Sequence, residues 1–399
     1  MTSLNISSAL MPITARPDVV MVRGKGSTLW DYHNNRYLDF IQGWAVNSLG
    51  HAPAEIIDAL CQQSKILITP SPALHNQPQQ HLADLLAQLS GLSQVHFSNS
   101  GSEANEVAVK LARRWARLNK PGAFEVITTE NAFHGRTLAM MAACGKPGWD
   151  EIFPPIMPGF KKVPFGDSES LREAITPKTA AIMVEPIQGE AGVIIPPVGY
   201  LRELRTLADE HNLLLILDEV QTGCGRTGKF FAFEHEGITP DVVTLGKGLG
   251  GGVPISATLA ASRACCFEHG DQGGTYNGNP LMCAVALALA QVVSEPGFLQ
   301  QVQTSGEKIK AGLLSLRENS QAIDTRGQGL LLGINLPTAV ATQVQEDAFN
   351  NGLLINAPRP ATLRLMPALN IDGEDIDNGL GILKRCVNSA LAAPAPARE

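Results

Sequence analysis

The stretch from Leu213 to Pro254, LLLILDEVQTGCGRTGKFFAFEHEGITPDVVTLGKGLGGGVP, decides the fold class of this chain. It contains two short apolar runs, 213–217 and 242–245, which lead to Asp218 and Lys247. Short apolar runs bounded by turn residues are typical of buried strands in an α/β sheet. Ligand sites in such sheets lie at the carboxyl ends of the strands. The sequence therefore predicts that Asp218 and Lys247 meet at one edge of one sheet.

Lys247 lies in a glycine-rich loop, and glycines let a large ligand approach the backbone closely. A lysine held away from water loses its proton more readily and becomes a nucleophile. A buried acid that stays ionised needs a cationic partner. A covalent link from Lys247 to pyridoxal phosphate, with Asp218 facing the protonated pyridine nitrogen, satisfies both requirements.

Other interpretations of the glycine-rich loop compete with this one. The loop is also compatible with a surface turn. Gly246-x-Gly248-x-x-Gly251 matches a dinucleotide-binding pattern, but residues 253–260 resemble a strand and not the helix that this pattern requires. A P-loop is excluded because Gly248 stands where serine or threonine follows the lysine.

The bulk composition indicates a soluble enzyme with one large domain and smaller ones. The chain has 399 residues, of which 44% are hydrophobic and 17% are charged. A net charge of −7 argues against nucleic-acid binding, and no apolar run reaches the length of a membrane span. The seven cysteines lack the spacing of metal ligands, which predicts no metal site and a reducing, cytoplasmic location.

A candidate anion site follows the predicted strand at 95–97. The segment SNSGSE, which ends at Glu103, precedes a predicted helix over 103–118. Small hydroxyl residues and a glycine before a helix favour anion binding, because free N–H groups and the helix dipole point at the ligand. The alternative is an ordinary helix cap, with Ser102 as the capping residue.

Two more predicted strands, 125–129 and 180–184, end near candidate ligand-binding side chains. Phe133 is suited to stack on a planar cofactor and Arg136 to bind a carboxylate, or they are a core aromatic and a surface ion pair. Glu190, between glycines, either reaches a pocket or is a solvated loop acid. His134 is interpreted as a hydrogen-bonded structural histidine.

The ends of the chain supply the remaining candidates. Residues 24–40 predict a hairpin around Asn34-Asn35. Trp44 is either core or the wall of a pocket. Residues 148–165 are predicted to be irregular, and residues from 297 onward predict a small α/β domain that contains Arg364 in an apolar strand. A buried arginine needs a partner, for which a ligand carboxylate or Glu190 is a candidate.

Helices are expected at 53–67, 77–90, 200–211 and 281–293.

Several of these segments resemble, in order and spacing, the class III pyridoxal-phosphate aminotransferases, and most closely the acetylornithine/ornithine aminotransferase group. The matching segments are FSNSGSEANE, NAFHGRT, EPIQGEAG, LDEVQTGCGRTG, TLGKGLGGGVP, TYNGNPL and TLRLMP. The resemblance implies a fold-type I α/β structure. Its large domain holds a mainly parallel seven-stranded sheet between helices, and its small domain is built from both termini. We expect an N-terminal segment at 1–52, a cofactor-binding domain at 53–292 and a C-terminal domain at 293–399.

The resemblance also implies a homodimer with shared active sites and roles for the cofactor-binding residues. Lys247 would carry pyridoxal phosphate and move the proton, and Asp218 would pair with the ring nitrogen. The other expected contacts are to the ring hydroxyl (Gln221), the two ring faces (Val220 and Phe133) and the phosphate (Gly101, Ser102 and, from the partner subunit, the partner's Thr275).

The implied substrates are an amine donor and a 2-oxo acid. Arg136 would bind the distal carboxylate of the donor, Arg364 the α-carboxylate of glutamate or 2-oxoglutarate, and Glu190 would neutralise Arg364 when the donor is bound. Trp44 and Gly274 depart from the usual residues of the acetylornithine enzymes, a smaller aliphatic residue and a serine. They leave succinylornithine, ornithine, 4-aminobutyrate or a diamine open as donors, and a same-fold aminomutase as a further alternative.

Overall fold

The computed structural model describes residues 9–318 and 323–392. Its N-terminal part is an antiparallel meander of β1 (Met21–Lys25), β2 (Thr28–Asp31) and β3 (Arg36–Asp39). The turn between β2 and β3 contains Asn34 with a positive φ of 64°, which asparagine tolerates. The predicted hairpin is therefore confirmed, and β1 extends it by one strand.

A seven-stranded sheet forms the centre of the molecule. Its strands are β4 (Gln94–Ser98), β5 (Glu125–Thr129), β6 (Phe160–Val163), β7 (Thr179–Val184), β8 (Leu214–Asp218), β9 (Val242–Leu245) and β10 (Ser256–Ala260). Their spatial order is β4-β10-β9-β8-β7-β5-β6, and only β10 runs antiparallel to its neighbours. The predicted mainly parallel seven-stranded sheet is confirmed.

The central strands are apolar on both faces because both faces are covered. Every residue of β8 is buried, and its side chains alternate between two hydrophobic clusters. Leu215 and Leu217 belong to the larger cluster, whereas Leu214 and Ile216 belong to a second cluster on the opposite face. A strand buried on both faces is apolar without interruption, as parallel sheets require.

The C-terminal part forms a four-stranded antiparallel sheet and adds a fourth strand to the N-terminal sheet. The added strands are β11 (Asp324–Gln328), β12 (Leu331–Asn335), β13 (Leu353–Leu354), β14 (Asn356–Arg359) and β15 (Thr362–Leu365). The sheet order is β11-β12-β15-β14, and β13 pairs in parallel with β3. Segments from both ends of the chain thus share one sheet. The domain boundaries at 52/53 and 292/293 remain our proposal.

The helices cover the sheets and connect the strands. They are α1 (Gln42–Ala45), α2 (Ala54–Gln63), α3 (Gln77–Ser90), α4 (Gly101–Asn119), α5 (Leu138–Ala143), α6 (Trp149–Ile152), α7 (Ser168–Ala174), α8 (Tyr200–Glu210), α9 (Pro280–Val293), α10 (Pro296–Leu314), α11 (Ala341–Asn350) and α12 (Gly373–Ala392). In the described part of the chain, no single helix has the length and hydropathy to cross a membrane. The bent pair α9 and α10 passes that test jointly, by length and composition only.

Three sequence-based expectations need correction. Residues 148–165 are not irregular throughout, because they contain α6 and β6. β6 lies at the edge of the sheet, where Lys161 and Lys162 are tolerated, so its apolar signal is weak. The helix predicted at 53–67 ends at Gln63, and the helix expected to start at Glu103 starts at Gly101.

Candidate active site

The register of the parallel strands brings the predicted side chains to one edge of the sheet. Val184 pairs with Leu217, and Asp218 pairs with Thr244. Asp218 is the last residue of β8, and Glu185 and Lys247 follow the neighbouring strands β7 and β9. All three therefore lie at the same carboxyl edge, where α/β sheets bind ligands. They line a cavity of about 170 Å³. Its walls are Ser100, Gly101, Ser102, Asn105, Phe133, His134, Gly135, Glu185, Glu190, Asp218, Val220, Gln221 and Lys247.

Asp218 is buried and held by three donors. Its Oδ2 accepts hydrogen bonds from Asn105 Nδ2 at 2.7 Å and from His134 Nδ1 at 2.8 Å, and its Oδ1 accepts from the Val220 amide at 3.0 Å. Burial lowers the pKa of His134, but the hydrogen bond and charge of Asp218 outweigh it, so the pKa is raised overall. These three donors hold the carboxylate in the cavity wall, where it can face a cationic ring nitrogen.

His134 is hydrogen-bonded, as predicted, but it belongs to this cavity. Its buried Nε2 has no hydrogen-bond partner among the described residues. The ring therefore contacts the Asp218 carboxylate through Nδ1 alone, which fixes the orientation of that carboxylate toward the cavity.

Lys247 begins a single 3₁₀ turn directly after β9 and its glycine. Its backbone has a positive φ of 39°. Residues other than glycine adopt this conformation only when the surrounding structure imposes it. Burial lowers the pKa of its ammonium group, and the charge of Arg364 lowers it further, against the opposing charges of Glu190, Asp218 and Glu185. The lowered pKa favours the neutral, nucleophilic amine.

The amino end of α4 forms one wall of the cavity. Ser100, and not Ser102, is the capping residue, and it forms a capping box with Glu103. Ser102 is thus free of the capping role, and its Oγ accepts a hydrogen bond from the Arg136 amide at 3.2 Å. A Cβ on Gly101 would lie 2.6 Å from Val220 Cγ1, so only glycine fits between the helix and that side chain. The helix N-terminus is therefore open to an anion.

Arg364 lies behind the cavity and pairs with Glu190. Its Nη1 donates to Glu190 Oε1 at 2.7 Å and to Gln221 Oε1 at 3.2 Å, while its Nε donates to Asn356 at 3.0 Å. The guanidinium is fully buried, and its Nη2 has no hydrogen-bond partner among the described residues. Burial raises the pKa of Glu190, but the charges of Arg364 and Lys247 outweigh it and lower the pKa overall. The expected partnership of Arg364 with Glu190 is present.

An outer cleft opens beside the cavity and shares Phe133 and Glu190 with it. Its other lining residues are Trp44, Asn131, Ala132, Arg136, Lys146, Asn356, Pro358 and Arg359. Arg136 is exposed, and its Cζ lies 5.9 Å from the centre of the Phe133 ring. Three cationic side chains line the cleft, since Lys146 and Arg359 join Arg136. The cleft is therefore suited to an anionic ligand.

Trp44 is a wall residue and not core, because its side chain is 47% exposed at this cleft. It lies within a run of left-handed backbone in α1, where Gly43, Trp44 and Ala45 have φ values of 61°, 67° and 62°. Arg364 Cζ lies 5.5 Å from the centre of the Trp44 ring. Trp44 therefore contacts the buried cation from the cleft side.

Gly274 and Thr275 are exposed in this single chain, and neither lines the cavity or the cleft. Their expected role at a neighbouring subunit stays a prediction.

Sequence reasoning missed part of the cavity wall: Asn105, Gly135, Glu185 and the placement of His134. Asn105 lies one turn inside α4, where the helical pattern gave no functional signal. Glu185 directly follows β7, and the rule that strand ends carry chemistry would have identified it.

The family model for class III aminotransferases matches residues 12–387 of this chain. The match covers nearly the whole sequence, including every strand and all the cavity-lining residues named above. The chain therefore belongs to the class III aminotransferases.

Within that class, the chain is similar to acetylornithine and ornithine aminotransferases. It is 50% identical to an acetylornithine aminotransferase of Ralstonia nicotianae over 383 residues, which cover 94% of this chain and 96% of the relative. It is 50% identical to acetylornithine aminotransferase 2 of Bordetella bronchiseptica, with 92% and 94% covered. The ornithine aminotransferase of Toxoplasma gondii superimposes with a TM-score of 0.91 at 33% identity, with 96% and 93% covered. The N-acetylornithine aminotransferase from Stenotrophomonas maltophilia superimposes with a TM-score of 0.83 at 34% identity. The match covers 94% of this chain and 97% of that one.

Proposed function

We propose that this aminotransferase moves the terminal amino group of an acetylornithine-like ω-amino acid to 2-oxoglutarate, which gives a semialdehyde and glutamate. The observation that carries the proposal is the pairing of fully buried Arg364 with Glu190, 2.7 Å apart, between the cavity and a cationic outer cleft. Such an arrangement serves two substrates that differ in charge at the reacting end. The similarity to acetylornithine aminotransferases supports acetylornithine as the donor.

We propose pyridoxal 5'-phosphate as the cofactor, because the cavity fits its parts. The N-terminus of α4 with Gly101 and Ser102 suits the phosphate, and Asp218 suits a protonated ring nitrogen. The ring would lie between Val220 and Phe133, with Gln221 near its hydroxyl group, and Lys247 would hold the aldehyde carbon. When bound, the cofactor supplies an electron sink for the carbon that loses its proton.

The residues of the chain would supply binding and proton transfer. The Lys247 amine, with its lowered pKa, would take the proton from the carbon that bears the substrate amino group and return it later. Asp218 would keep the ring nitrogen protonated, and Asn105 and His134 would keep Asp218 in place. The chemistry would thus need no metal ion.

The two arginines would sort the substrates by their carboxylates. For the donor, Arg136 would bind the distal carboxylate while Glu190 stays on Arg364 and neutralises it. For 2-oxoglutarate, the α-carboxylate would displace Glu190 and form a charge-assisted contact with Arg364, whose Nη2 has no partner within the described part of the chain. The two half-reactions would then share one cavity in ping-pong order.

The remaining expectations belong to this proposal. We propose a cytoplasmic homodimer in which the partner's Thr275 completes the phosphate site, with Gly274 beside it. Trp44 and the missing hydroxyl at Gly274 leave succinylornithine, ornithine, 4-aminobutyrate or a diamine as alternative donors. An aminomutase, which moves an amino group within one molecule, is less well supported because Arg136, Arg364 and Glu190 suit two separate substrates.

A donor panel tests the proposal. Acetylornithine, succinylornithine, ornithine, 4-aminobutyrate and putrescine are each offered with 2-oxoglutarate, and glutamate formation is measured. We expect the highest kcat/KM with an Nα-acylated ornithine. Turnover that continues without any 2-oxo acid would instead identify an aminomutase, and no glutamate from any donor would refute the proposed activity.

A further inference from the structure

Glu185 is a buried carboxyl in the cavity wall for which the proposed mechanism has no use. It follows the last residue of β7, is only 5% exposed and lines the same cavity as Lys247 and Asp218. Buried carboxyl groups are expensive unless their oxygens accept hydrogen bonds. The partners of Glu185 therefore indicate why a carboxyl stands at this position.

Both oxygens of Glu185 accept hydrogen bonds from main-chain amides of two separate loops. Oε1 accepts from the Phe133 amide at 3.0 Å, and Oε2 accepts from the Gly189 amide at 3.3 Å. Phe133 carries the proposed ring-stacking side chain, and Gly189 directly precedes Glu190. One carboxyl thus joins the segment that faces the cofactor to the segment that pairs with Arg364.

The Gly189 turn has little freedom to move away from this contact. A Cβ at Gly189 would lie 1.6 Å from Gln221 Oε1, the oxygen that also accepts from Arg364 Nη1. The turn is therefore packed against the amide that orients the arginine. A shift of the Gly189 amide would disturb the Glu190–Arg364 ion pair through this contact.

We propose that Glu185 is a positioning residue that fixes the Phe133 segment and the Gly189–Glu190 turn together, and thereby sets both cofactor retention and the opening of the Glu190–Arg364 ion pair. The inference rests on the proposed function. It adds that the aromatic wall and the ion pair are linked through the Glu185 carboxyl. Its effect is exerted through its two main-chain partners, the amides of Phe133 and Gly189.

Glu219, which directly follows the neighbouring strand β8, provides a matched control. It is 1% exposed, and its carboxyl accepts hydrogen bonds from the Ala232 amide at 2.6 Å and the Phe233 amide at 2.9 Å. Burial raises the pKa of both carboxyls, Glu185 and Glu219, to about 7. Glu219 does not line the cavity. The two glutamates therefore share burial and bonding but differ in what they hold in place.

The test compares E185Q with E219Q, each purified with pyridoxal phosphate bound. A glutamine has only one acceptor oxygen, so each variant leaves one buried amide without a partner. We expect both variants to lower the thermal midpoint by similar amounts. Only E185Q should weaken cofactor binding, measured by dialysis and visible absorbance, and raise the KM for 2-oxoglutarate, each by about tenfold, the loss expected for an unpaired buried amide.

E185D is the second variant, because it keeps two acceptor oxygens on a shorter side chain. We expect it to recover part of the cofactor affinity and of the 2-oxoglutarate KM relative to E185Q. The proposal is overturned if E185Q and E219Q have the same cofactor affinity and KM, or if E185D is no better than E185Q. The cofactor-affinity readout does not depend on turnover, so it still judges Glu185 if the donor panel finds no amino transfer.

Discussion

The inner cavity and the outer cleft differ in how their residues are held. In the cavity, Asp218 and Lys247 are fixed by neighbouring strands of one sheet, and the capped helix α4 closes one side. In the cleft, Arg136 and Lys146 are exposed, and Arg359 and Trp44 come from the two ends of the chain. The catalytic groups of the cavity lie at the edge of one sheet, whereas the cleft is assembled from segments that are far apart in the chain.

This difference indicates that the residues that determine the reaction class are separate from those that select the substrate. A carboxylate and an amine held at adjacent strand ends can perform the same chemistry on many substrates. The cationic side chains of the cleft decide which distal groups are bound, and each can change without disturbing the sheet. We therefore expect changes in the cavity to abolish the reaction and changes in the cleft to alter the choice of donor.

Lys247→Ala gives the largest expected effect. Removing the amine removes both the covalent attachment and the proton carrier, so kcat should fall by about 10⁴-fold, the upper range for a general acid–base group. The fold should persist, because Lys247 lies in a short 3₁₀ turn at the end of β9. Glutamate formation and circular dichroism are the measurements. Wild-type turnover in a folded variant would remove Lys247 from the reaction.

Arg136→Ala should change the choice of donor without stopping the reaction. Donors with a distal carboxylate should lose about 10²-fold in kcat/KM, because they lose a charge-assisted contact. Plain alkyl amines, which make no such contact, should change by less than about threefold. Equal losses for both kinds of donor would show that Arg136 does not bind the carboxylate.

The same division explains how much of the molecule could be predicted from its sequence. The apolar runs before Asp218 and Lys247 predicted the central strands correctly, because strands buried on both faces carry a strong local signal. β6 was missed because an edge strand tolerates Lys161 and Lys162. A local sequence pattern therefore identifies a strand that is buried on both faces more reliably than a strand at the edge of a sheet.

The site was predictable where function coincides with a strand end or a helix start. Gly101, Ser102, Phe133, Asp218 and Lys247 were identified in this way, whereas Val220 and Gln221 came only from the resemblance to the aminotransferases. Asn105 was not, because its side chain reaches Asp218 only after α4 packs across the sheet. Lys146 and Arg359 were missed for the same reason, since tertiary packing alone brings both to the cleft of Arg136.

The His134–Asp218 contact should make the stability of the cofactor-free protein depend on pH. The pKa of His134 is raised in the folded state, so its stabilising effect is complete below its ordinary pKa of about 6.5 and is lost as pH rises through the raised value. The wild type should exceed His134→Gln in unfolding free energy by an amount that shrinks above neutral pH, by up to about 1.4 kcal/mol per pH unit.

Denaturant unfolding of both proteins from pH 5.5 to 9 measures this difference. A difference that grows as pH rises would mean that His134 is neutral in the folded protein. Because the cofactor is absent, the result concerns only the residues of the cavity and is independent of the donor.

Lys146→Met should have the smallest effect and gives the finest test of the cleft. Lys146 is exposed, with its Nζ 5.1 Å from the centre of the Trp149 ring, and exposed charge pairs contribute about 0.2–1 kcal/mol. KM for a donor with a distal carboxylate should therefore rise about two- to fivefold at low ionic strength, and the change should fade at about 0.5 M salt because screening is strong there. Lys25→Met, which removes a charge from exposed β1, is the control and should leave KM unchanged. If the two variants behave alike, the cleft attracts donors through the net charge of the protein, and Lys146 has no specific part in donor choice.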